Sequence, residues 1–200
     1  MNFEVEKKIS VRDHELIKSI LDELCVYRDH SIKNDIYFAH ETVKDPDFKK
    51  DKIFRIRECV DNTFVTYKFK KIEDGAEINM EHEFGVQDNN TFIEFVQYLG
   101  FMEFIRKSKE SDVFKYNDLT VELSFIKDLG YFLEVEAICS VESEVAQSLK
   151  KLDIFFNTLY QEVISSVERE KRPVSQVIAF ENSALIFEER YYIEMLQEIA

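Results

Sequence analysis

The chain has 200 residues, of which 45% are hydrophobic, and this is enough for one domain with a sizeable core. Its formal net charge of -14 argues against nucleic acid as a partner. No run reaches the roughly 18 apolar residues of a membrane span, and charge begins at Glu4, so we expect neither a membrane segment nor a signal peptide. Three widely spaced cysteines fit neither a disulfide framework nor a zinc site and favour a reducing cytoplasm.

The motifs that hold phosphate with backbone amides are absent from the sequence. Only four glycines occur, and none stands in a Gly-x-x-x-x-Gly-Lys or Gly-x-Gly-x-x-Gly pattern. Any phosphate would therefore be bound by side chains.

The first three-quarters of the chain read as strands with two helices. Periodicity predicts a strand over about 2–10 and an amphipathic helix over 12–26, followed by an extended piece over 34–40 and a loop over 44–51. Strands 52–60 and 63–71 form a hairpin across Asp61 and Asn62, and Gly75 marks the turn into strand 76–86. Asn90 is the predicted cap of a helix over 91–99. Four strands follow at about 102–109, 112–116, 119–125 and 131–139.

From residue 143 the pattern changes to helix. Apolar residues at helical spacing predict a long helix that Pro173 ends. A last helix over about 186–199 carries an apolar stripe of Phe187, Tyr191, Met195 and Ile199. We therefore divide the chain into a strand-rich part, 1–142, and helices of the same domain, 143–200.

Charged residues alternate with apolar ones along most of the strands and come in same-sign pairs. The acidic members are Glu4, Glu6, Glu81, Glu83, Glu134 and Glu136; the basic ones are Lys8, Arg55, Arg57, Lys68, Lys70, Lys107 and Lys109. An ordinary sheet with one solvated face is the alternative explanation. However, like charges about 7 Å apart on one strand repel each other. Their repetition favours a face that curls into a lumen, where basic pairs bind polyphosphate and acidic pairs bind its metal ions.

The order of these motifs resembles the CYTH superfamily, the triphosphate tunnel metalloenzymes. The motifs are the Glu-x-Glu-x-Lys of residues 4–8, Arg-x-Arg at 55–57, Lys-x-Lys at 68–70, Glu-x-Glu at 81–83, Lys-x-Lys at 107–109, and 129–136, which is similar to the family's LGxFxEIE signature. The resemblance covers about residues 1–139. It implies an α+β fold: a closed eight-stranded antiparallel barrel with a charged lumen, helices packed outside and a C-terminal helical extension.

The resemblance also implies a site. Metal ligands for Mg²⁺ or Mn²⁺ would be Glu4, Glu6, Glu134 and Glu136, with Glu81 or Glu83 assisting. The substrate would be a triphosphate-bearing small molecule, ATP or another, bound by Lys8, Arg55, Arg57, Lys68, Lys70, Lys107 and Lys109. The residues expected to act in catalysis are Glu4, Glu6, Lys8 and Lys68. A homodimer is compatible with the helical extension, and neither nucleic acid nor membrane is expected as a partner.

The chain looks most like the class IV adenylyl cyclases, which also carry an Asp-x-Tyr-Phe strand similar to residues 35–38. The implied reaction is conversion of ATP to cyclic AMP and pyrophosphate. A triphosphatase acting on inorganic, thiamine or nucleoside triphosphate is the first alternative, and a non-catalytic triphosphate sensor is the second. Two departures stand out: Ser124 replaces the family's usual acidic residue, and Lys109 stands where an arginine is usual.

Overall fold

The computed structural model describes residues 2–44, 46, 53–59, 62–73 and 75–179. Its strands are β1 (Asn2–Val11), β2 (Val26–His40), β3 (Phe54–Glu58), β4 (Thr63–Glu73), β5 (Ala76–Val86), β6 (Phe101–Tyr116), β7 (Leu119–Ile126), β8 (Gly130–Cys139) and β9 (Ile178–Ala179). The α-helices are α1 (His14–Leu24), α2 (Asn89–Tyr98) and α3 (Val145–Glu170). Short 3₁₀ turns cover Glu142–Glu144 and Val174–Gln176.

The first eight strands close into an antiparallel barrel. The sheet order is β5-β4-β3-β2-β6-β7-β8-β1, and β1 also pairs with β5, which completes the ring. The short β9 adds to β1 beyond the end of β5, with Val11 opposite Ile178. The predicted closed eight-stranded α+β barrel, with a helix following it in the chain, is confirmed.

Two strands are longer than the sequence pattern predicts. β2 runs from Val26 to His40, where only 34–40 is predicted, and β6 is one continuous strand where two, 102–109 and 112–116, are predicted. The two pair with each other over almost their entire length, with bulges after Tyr27 and Tyr37. Their backbone hydrogen bonds, rather than apolar alternation, hold the polar segments extended.

Most of the apolar packing lies outside the barrel, because most inward positions are polar or charged. An exception is a small cluster of Ile126 and Phe132 with Leu129, since Ile126 and Phe132 alternate in phase with the inward Glu122 and Glu134. One core joins the outward side chains of β1, β7 and β8 to α1 and α3 and contains Val5, Val121, Leu133, Leu152 and Leu159. A second core lies under α2, where Val96 packs against Ile36, Phe38, Ile56 and Val65. The helices thus fix the barrel wall from outside and leave most of the lumen to polar groups.

Helix boundaries differ slightly from the sequence prediction. Asp88, not Asn90, caps α2: its carboxylate accepts a hydrogen bond from the Thr91 amide. The helix α3 ends at Glu170, and Lys171 adopts a left-handed conformation with φ 56°, so the helix stops before Pro173. The predicted helix 186–199 and most of the predicted loop 44–51 lie outside the described residues. In the described part of the chain, no helix has the length and apolarity of a membrane span.

Candidate functional site in the barrel lumen

The lumen encloses a cavity of about 240 Å³ with an almost entirely charged wall. Seven cationic and seven carboxylate side chains line it together with Ile138: Lys8, Lys33, Arg55, Arg57, Lys68, Lys107, Lys109, Glu4, Glu6, Glu81, Glu83, Glu122, Glu134 and Glu136. The structure therefore brings together every residue predicted for the site except Lys70.

Strand alternation and register explain this convergence. Inward positions on β1 face inward positions on β8, with Glu6 opposite Glu136 and Lys8 opposite Glu134. On β4 and β5, Lys68 lies opposite Glu81. Since side chains two apart share a face of a strand, each Glu-x-Glu or Lys-x-Lys motif sends both members into the same lumen.

One wall of the cavity is an arginine cluster around Asp35. Arg57 donates two hydrogen bonds to this carboxylate, at 2.7 and 2.9 Å, and Arg55 approaches it at 3.7 Å. Lys107 lies at 4.0 Å from it. Burial alone would raise the pKa of Asp35, but the hydrogen bonds from Arg57 and the neighbouring positive charges hold it well below its usual value. Asp35 thus stays ionised and orients the cations.

Lysines bridge the carboxylates elsewhere in the lumen. Lys68 contacts Glu4 at 3.1 Å and Glu81 at 3.7 Å. Lys109 lies between Glu122, at 2.8 Å, and Glu134, at 2.7 Å, and donates a hydrogen bond to the latter. In this network of alternating charge, movement of Lys68 or Lys109 toward an anion would release a carboxylate.

Several carboxylates are close enough to raise each other's proton affinity. The pKa of Glu4 is raised well above its usual value, first by burial and then by the charges of Glu6 and Glu81, against the effect of Lys68. Burial, with the charges of Glu122 and Glu6, also raises the pKa of Glu136. Crowded buried carboxylates of this kind gain from a nearby cation.

Lys70 lies apart from the cavity wall. It forms an ion pair with Glu77 at 2.9 Å, and both side chains are buried. Next to this pair, Asn79 donates a hydrogen bond of 3.2 Å to Glu6. Burial raises the pKa of Glu77 to about 7. Lys70 thus belongs to a layer of the barrel interior beside the cavity, where it neutralises Glu77.

The position where the family usually has an acidic residue carries no charge in this chain. Ser124 is fully buried, and its hydroxyl pairs with that of Ser111 on β6 at 2.9 Å. The carboxylate of β7 that reaches the lumen is Glu122, two residues earlier. It accepts a hydrogen bond from Lys33 at 2.6 Å.

The donor set of the lumen fits a hard divalent cation. Carboxylate oxygens are the ligands that Mg²⁺ and Mn²⁺ prefer. Among the residues that the structure describes, no three acidic, histidine or cysteine side chains converge on one coordination point. Mg²⁺ bound together with phosphate needs only one or two protein carboxylates, since phosphate oxygens and water complete the shell. Adjacent carboxylates such as Glu4 and Glu81 meet that requirement.

Sequence reasoning missed Lys33 and Glu122 as cavity residues and gave Asp35 no role. Lys33 stands as a single lysine in a polar stretch without apolar alternation, so its inward position follows only from its register opposite Lys109. Glu122 carried a usable signal, because it alternates with Val121 and Leu123. Asp35 also carried a usable signal, because it lies two residues before Tyr37 and therefore on the same face of the predicted strand.

Comparison with known proteins gives a consistent result. The model of the CYTH domain family matches residues 2–170. A Methanocaldococcus jannaschii protein named "Putative adenylate cyclase MJ0240" is 31% identical over 160 residues, which are 76% of this chain and 90% of that protein. Proteins of this family generally depend on divalent metal ions.

Two solved structures illustrate the similarity in fold. The PH1819 protein of Pyrococcus horikoshii OT3 is 24% identical, with a TM-score of 0.65, and the match covers 84% of this chain and 99% of that one. A Hippeastrum protein, described as a putative adenylyl cyclase with a dominant triphosphatase activity, is 12% identical, with a TM-score of 0.56. That match covers 85% of this chain and 97% of the Hippeastrum chain. At these identities the two structures show the shared barrel and no more.

Proposed function

The chain belongs to the CYTH domain family, and we propose that it is an enzyme that carries out divalent-metal-dependent phosphotransfer on a triphosphate bound in the lumen. One observation carries this proposal: the cavity wall combines seven cations with seven carboxylates. A simple anion would be repelled by the carboxylates, and a metal ion alone by the cations. A polyanion with bound metal ions is complementary to both, because its phosphates are attracted to the cations and its metal ions to the carboxylates.

The cationic side chains would bind phosphate, and the carboxylates would bind metal. Arg55, Arg57 and Lys107 would bind phosphate oxygens on the wall around Asp35, which holds the Arg57 guanidinium in place through two hydrogen bonds. Lys68 and Lys109 would move from the carboxylates that they bridge to the phosphates. The carboxylates thus released, Glu4 and Glu134 among them, would hold the metal together with Glu6, Glu81, Glu83 and Glu136. A bound divalent metal supplies charge neutralisation and activation of the nucleophile or leaving group.

Cyclisation of ATP is the reaction we place first. In it the ribose 3′-hydroxyl gives up its proton and its oxygen attacks the α-phosphorus, the bond from that phosphorus to the α,β-bridging oxygen breaks, and cyclic AMP and pyrophosphate form. The name of the 31% identical Methanocaldococcus relative supports this choice. In such a reaction Lys8 and Lys68 would neutralise charge that develops on the departing pyrophosphate.

Hydrolysis of a triphosphate is the second candidate, and the composition of the cavity wall favours it. Ile138 is the single apolar residue that lines the cavity in the described part of the chain. A purine ring would find few apolar contacts there. Inorganic triphosphate, or the phosphate chain of thiamine triphosphate or of a nucleotide, would need none. Water would then attack the terminal phosphorus, the bond from that phosphorus to the bridging oxygen would break, and orthophosphate would form together with pyrophosphate or the diphosphate of thiamine or the nucleoside.

Product analysis tests the proposal. The protein is incubated with ATP, thiamine triphosphate or inorganic triphosphate, each with Mg²⁺ or Mn²⁺, and products are separated by chromatography. The double variant Glu4→Gln/Glu6→Gln should lose turnover, whereas Glu23→Gln, on the exposed face of α1, should retain it. Cyclic AMP with pyrophosphate identifies a cyclase, and orthophosphate identifies a triphosphatase. Saturable triphosphate binding without any turnover would refute both reactions and leave a triphosphate sensor.

A further inference from the structure

The outer face of β4 and β5 carries an aromatic strip that no described element covers. Its members are Tyr67, Phe69, Met80, His82 and Phe84. Phe69 is 59% exposed, Phe84 47% and Tyr67 40%. The rings contact one another: Tyr67 stacks on His82 with centroids 4.8 Å apart, and Phe69 meets Tyr67 edge-on at 5.9 Å. A contiguous exposed patch of this kind marks an interaction surface.

Described helices cover the barrel beyond both ends of the strip. Beyond one end, Ile78 is buried in the core that α1 and α3 form with β1 and β8. Beyond the other end, Val65 and Val86 belong to the core under α2, and Phe84 contacts Phe92 of that helix. The uncovered area is two strands wide, about 10 Å, which is the diameter of one α-helix.

The length of the strip also fits a helix. From Met80 to Phe84 the strip rises about 14 Å at roughly 3.4 Å per residue, which a helix of about nine residues spans. A helix over 186–199 would be about 21 Å long at 1.5 Å per residue. Its apolar residues recur every fourth position, at Phe187, Tyr191, Met195 and Ile199, so they form one continuous stripe.

The path of the chain leads toward this face. Ile178 and Ala179 pair antiparallel with Val11 and Ser10 of β1. The step from Ile178 to Ala179 points along β1 toward Glu6, which lies opposite Glu77 near the start of β5. The described chain ends opposite Ser10, four residues along β1 from Glu6, and residues 180–200 follow.

We propose that residues 186–199 form the helix that covers this strip, with Phe187, Tyr191, Met195 and Ile199 packed against Tyr67, Phe69, Met80, His82 and Phe84. The segment would complete the outer helical layer at the place where the described helices leave it open. The inference rests on the strip, its flanking cores and the chain path, and it is independent of the reaction in the lumen.

The absence of tryptophan from the sequence gives a direct test. In the full-length variant Tyr191→Trp, residue 191 becomes the sole indole. A docked helix predicts blue-shifted emission and several-fold slower quenching by acrylamide than in urea-unfolded protein. In the same background, Tyr67→Ser/Phe69→Ser should shift the emission to the red and restore fast quenching. The control Tyr98→Ser changes a residue of α2 that is 87% exposed, and it should leave both readings unchanged.

Two results would overturn the proposal. One is an indole at 191 that is as exposed as in unfolded protein, or that does not respond to the two strip substitutions while the barrel remains folded by circular dichroism. The other is a blue shift that disappears on dilution as light scattering changes from dimer to monomer mass, because the strip would then be covered by a second copy. A concentration-independent shift in a monomer, abolished by the strip substitutions, supports intramolecular docking.

Discussion

Asp35 and Arg57 lie directly opposite each other on β2 and β3 and are joined by two hydrogen bonds of 2.7 and 2.9 Å. The carboxylate is fully enclosed, and Arg55 and Lys107 also approach it. Asp35 therefore contacts three cations inside the barrel, of which Arg55 also approaches Glu81 at 3.4 Å. We expect these cations to be available to an anion and the stability of this wall to depend on Asp35.

Replacing Asp35 with Asn should destabilise the protein by about 3–5 kcal/mol, because it leaves buried guanidinium groups without their counter-ion. Urea unfolding followed by circular dichroism measures the change. The control Glu73→Gln removes an exposed ion pair with Lys71, and it should cost less than about 1 kcal/mol. Equal costs for the two substitutions would contradict a structural role for the Asp35 cluster.

The contribution of Asp35 to the free energy of unfolding should decrease at low pH. Its pKa is lower in the folded protein than in the unfolded chain, where it is close to 4. Above about pH 5 the carboxylate is ionised in both states and its contribution is fully present. As the pH falls below about 4, the unfolded state binds a proton and the folded state does not, so stability is lost.

The measurement is the difference in free energy of unfolding between wild type and Asp35→Asn at several pH values. We expect a constant difference from pH 5 to 7 and a smaller one at pH 3. A difference that grows toward low pH would mean that the carboxylate is protonated in the folded protein.

The charged lumen was predictable because a shared inward face explains repeated same-sign pairs at alternate positions better than one solvated face of an open sheet does. The pairs at 4–6, 55–57 and 134–136 all line the cavity as predicted. The extent of β2 was not predictable. Residues 26–33 mix polar and apolar residues on both faces of the strand, so the local pattern does not distinguish strand from loop, and the pairing with β6 holds them extended.

The depth at which each side chain lies along the lumen could not be predicted from the sequence either. Lys68 and Lys70 are equivalent in pattern, yet Lys68 lines the cavity and Lys70 pairs with Glu77 beside it. Depth is set by the stagger between strands, which is a property of the closed barrel. Conversely, Lys33 reaches the cavity because its neighbour across β2 and β6 is Lys109.

Lys33 is expected to bind the triphosphate. Its ammonium contacts Glu122 in the cavity at 2.6 Å and can transfer to phosphate. Loss of one charge-assisted contact is worth about 1.5 kcal/mol, so Lys33→Ala should raise the Kd for inorganic triphosphate about tenfold, measured by titration calorimetry. Lys33→Arg should restore much of the affinity.

Lys7 is the matched control for this prediction. It lies on the outer face of β1, next to Lys8 in the sequence, and it pairs with Asp153 of α3 at 2.6 Å. Lys7→Ala should leave the Kd unchanged. An equal loss of affinity in both variants would show that global charge, rather than a contact in the lumen, is responsible.

Removal of divalent metal should abolish turnover and weaken triphosphate binding without eliminating it. The cations of the wall belong to the protein, whereas the carboxylates need a metal ion to face phosphate without repulsion. Turnover is measured in EDTA and after Mg²⁺ or Mn²⁺ is restored, with KCl at matched ionic strength as the control. Full turnover in EDTA would contradict a metal requirement.

Ser124 should stabilise the protein through its hydrogen bond with Ser111. The two hydroxyls are fully buried and 2.9 Å apart, so each is the hydrogen-bond partner of the other. Ser124→Ala leaves the Ser111 hydroxyl without that partner and should lower stability by about 1–3 kcal/mol. The double variant Ser111→Ala/Ser124→Ala removes both polar groups, so its cost should be less than the sum of the single costs. Additive costs in urea unfolding would show that the two hydroxyls do not interact, and the substitution of the family's acidic residue by Ser124 would then lack this structural explanation.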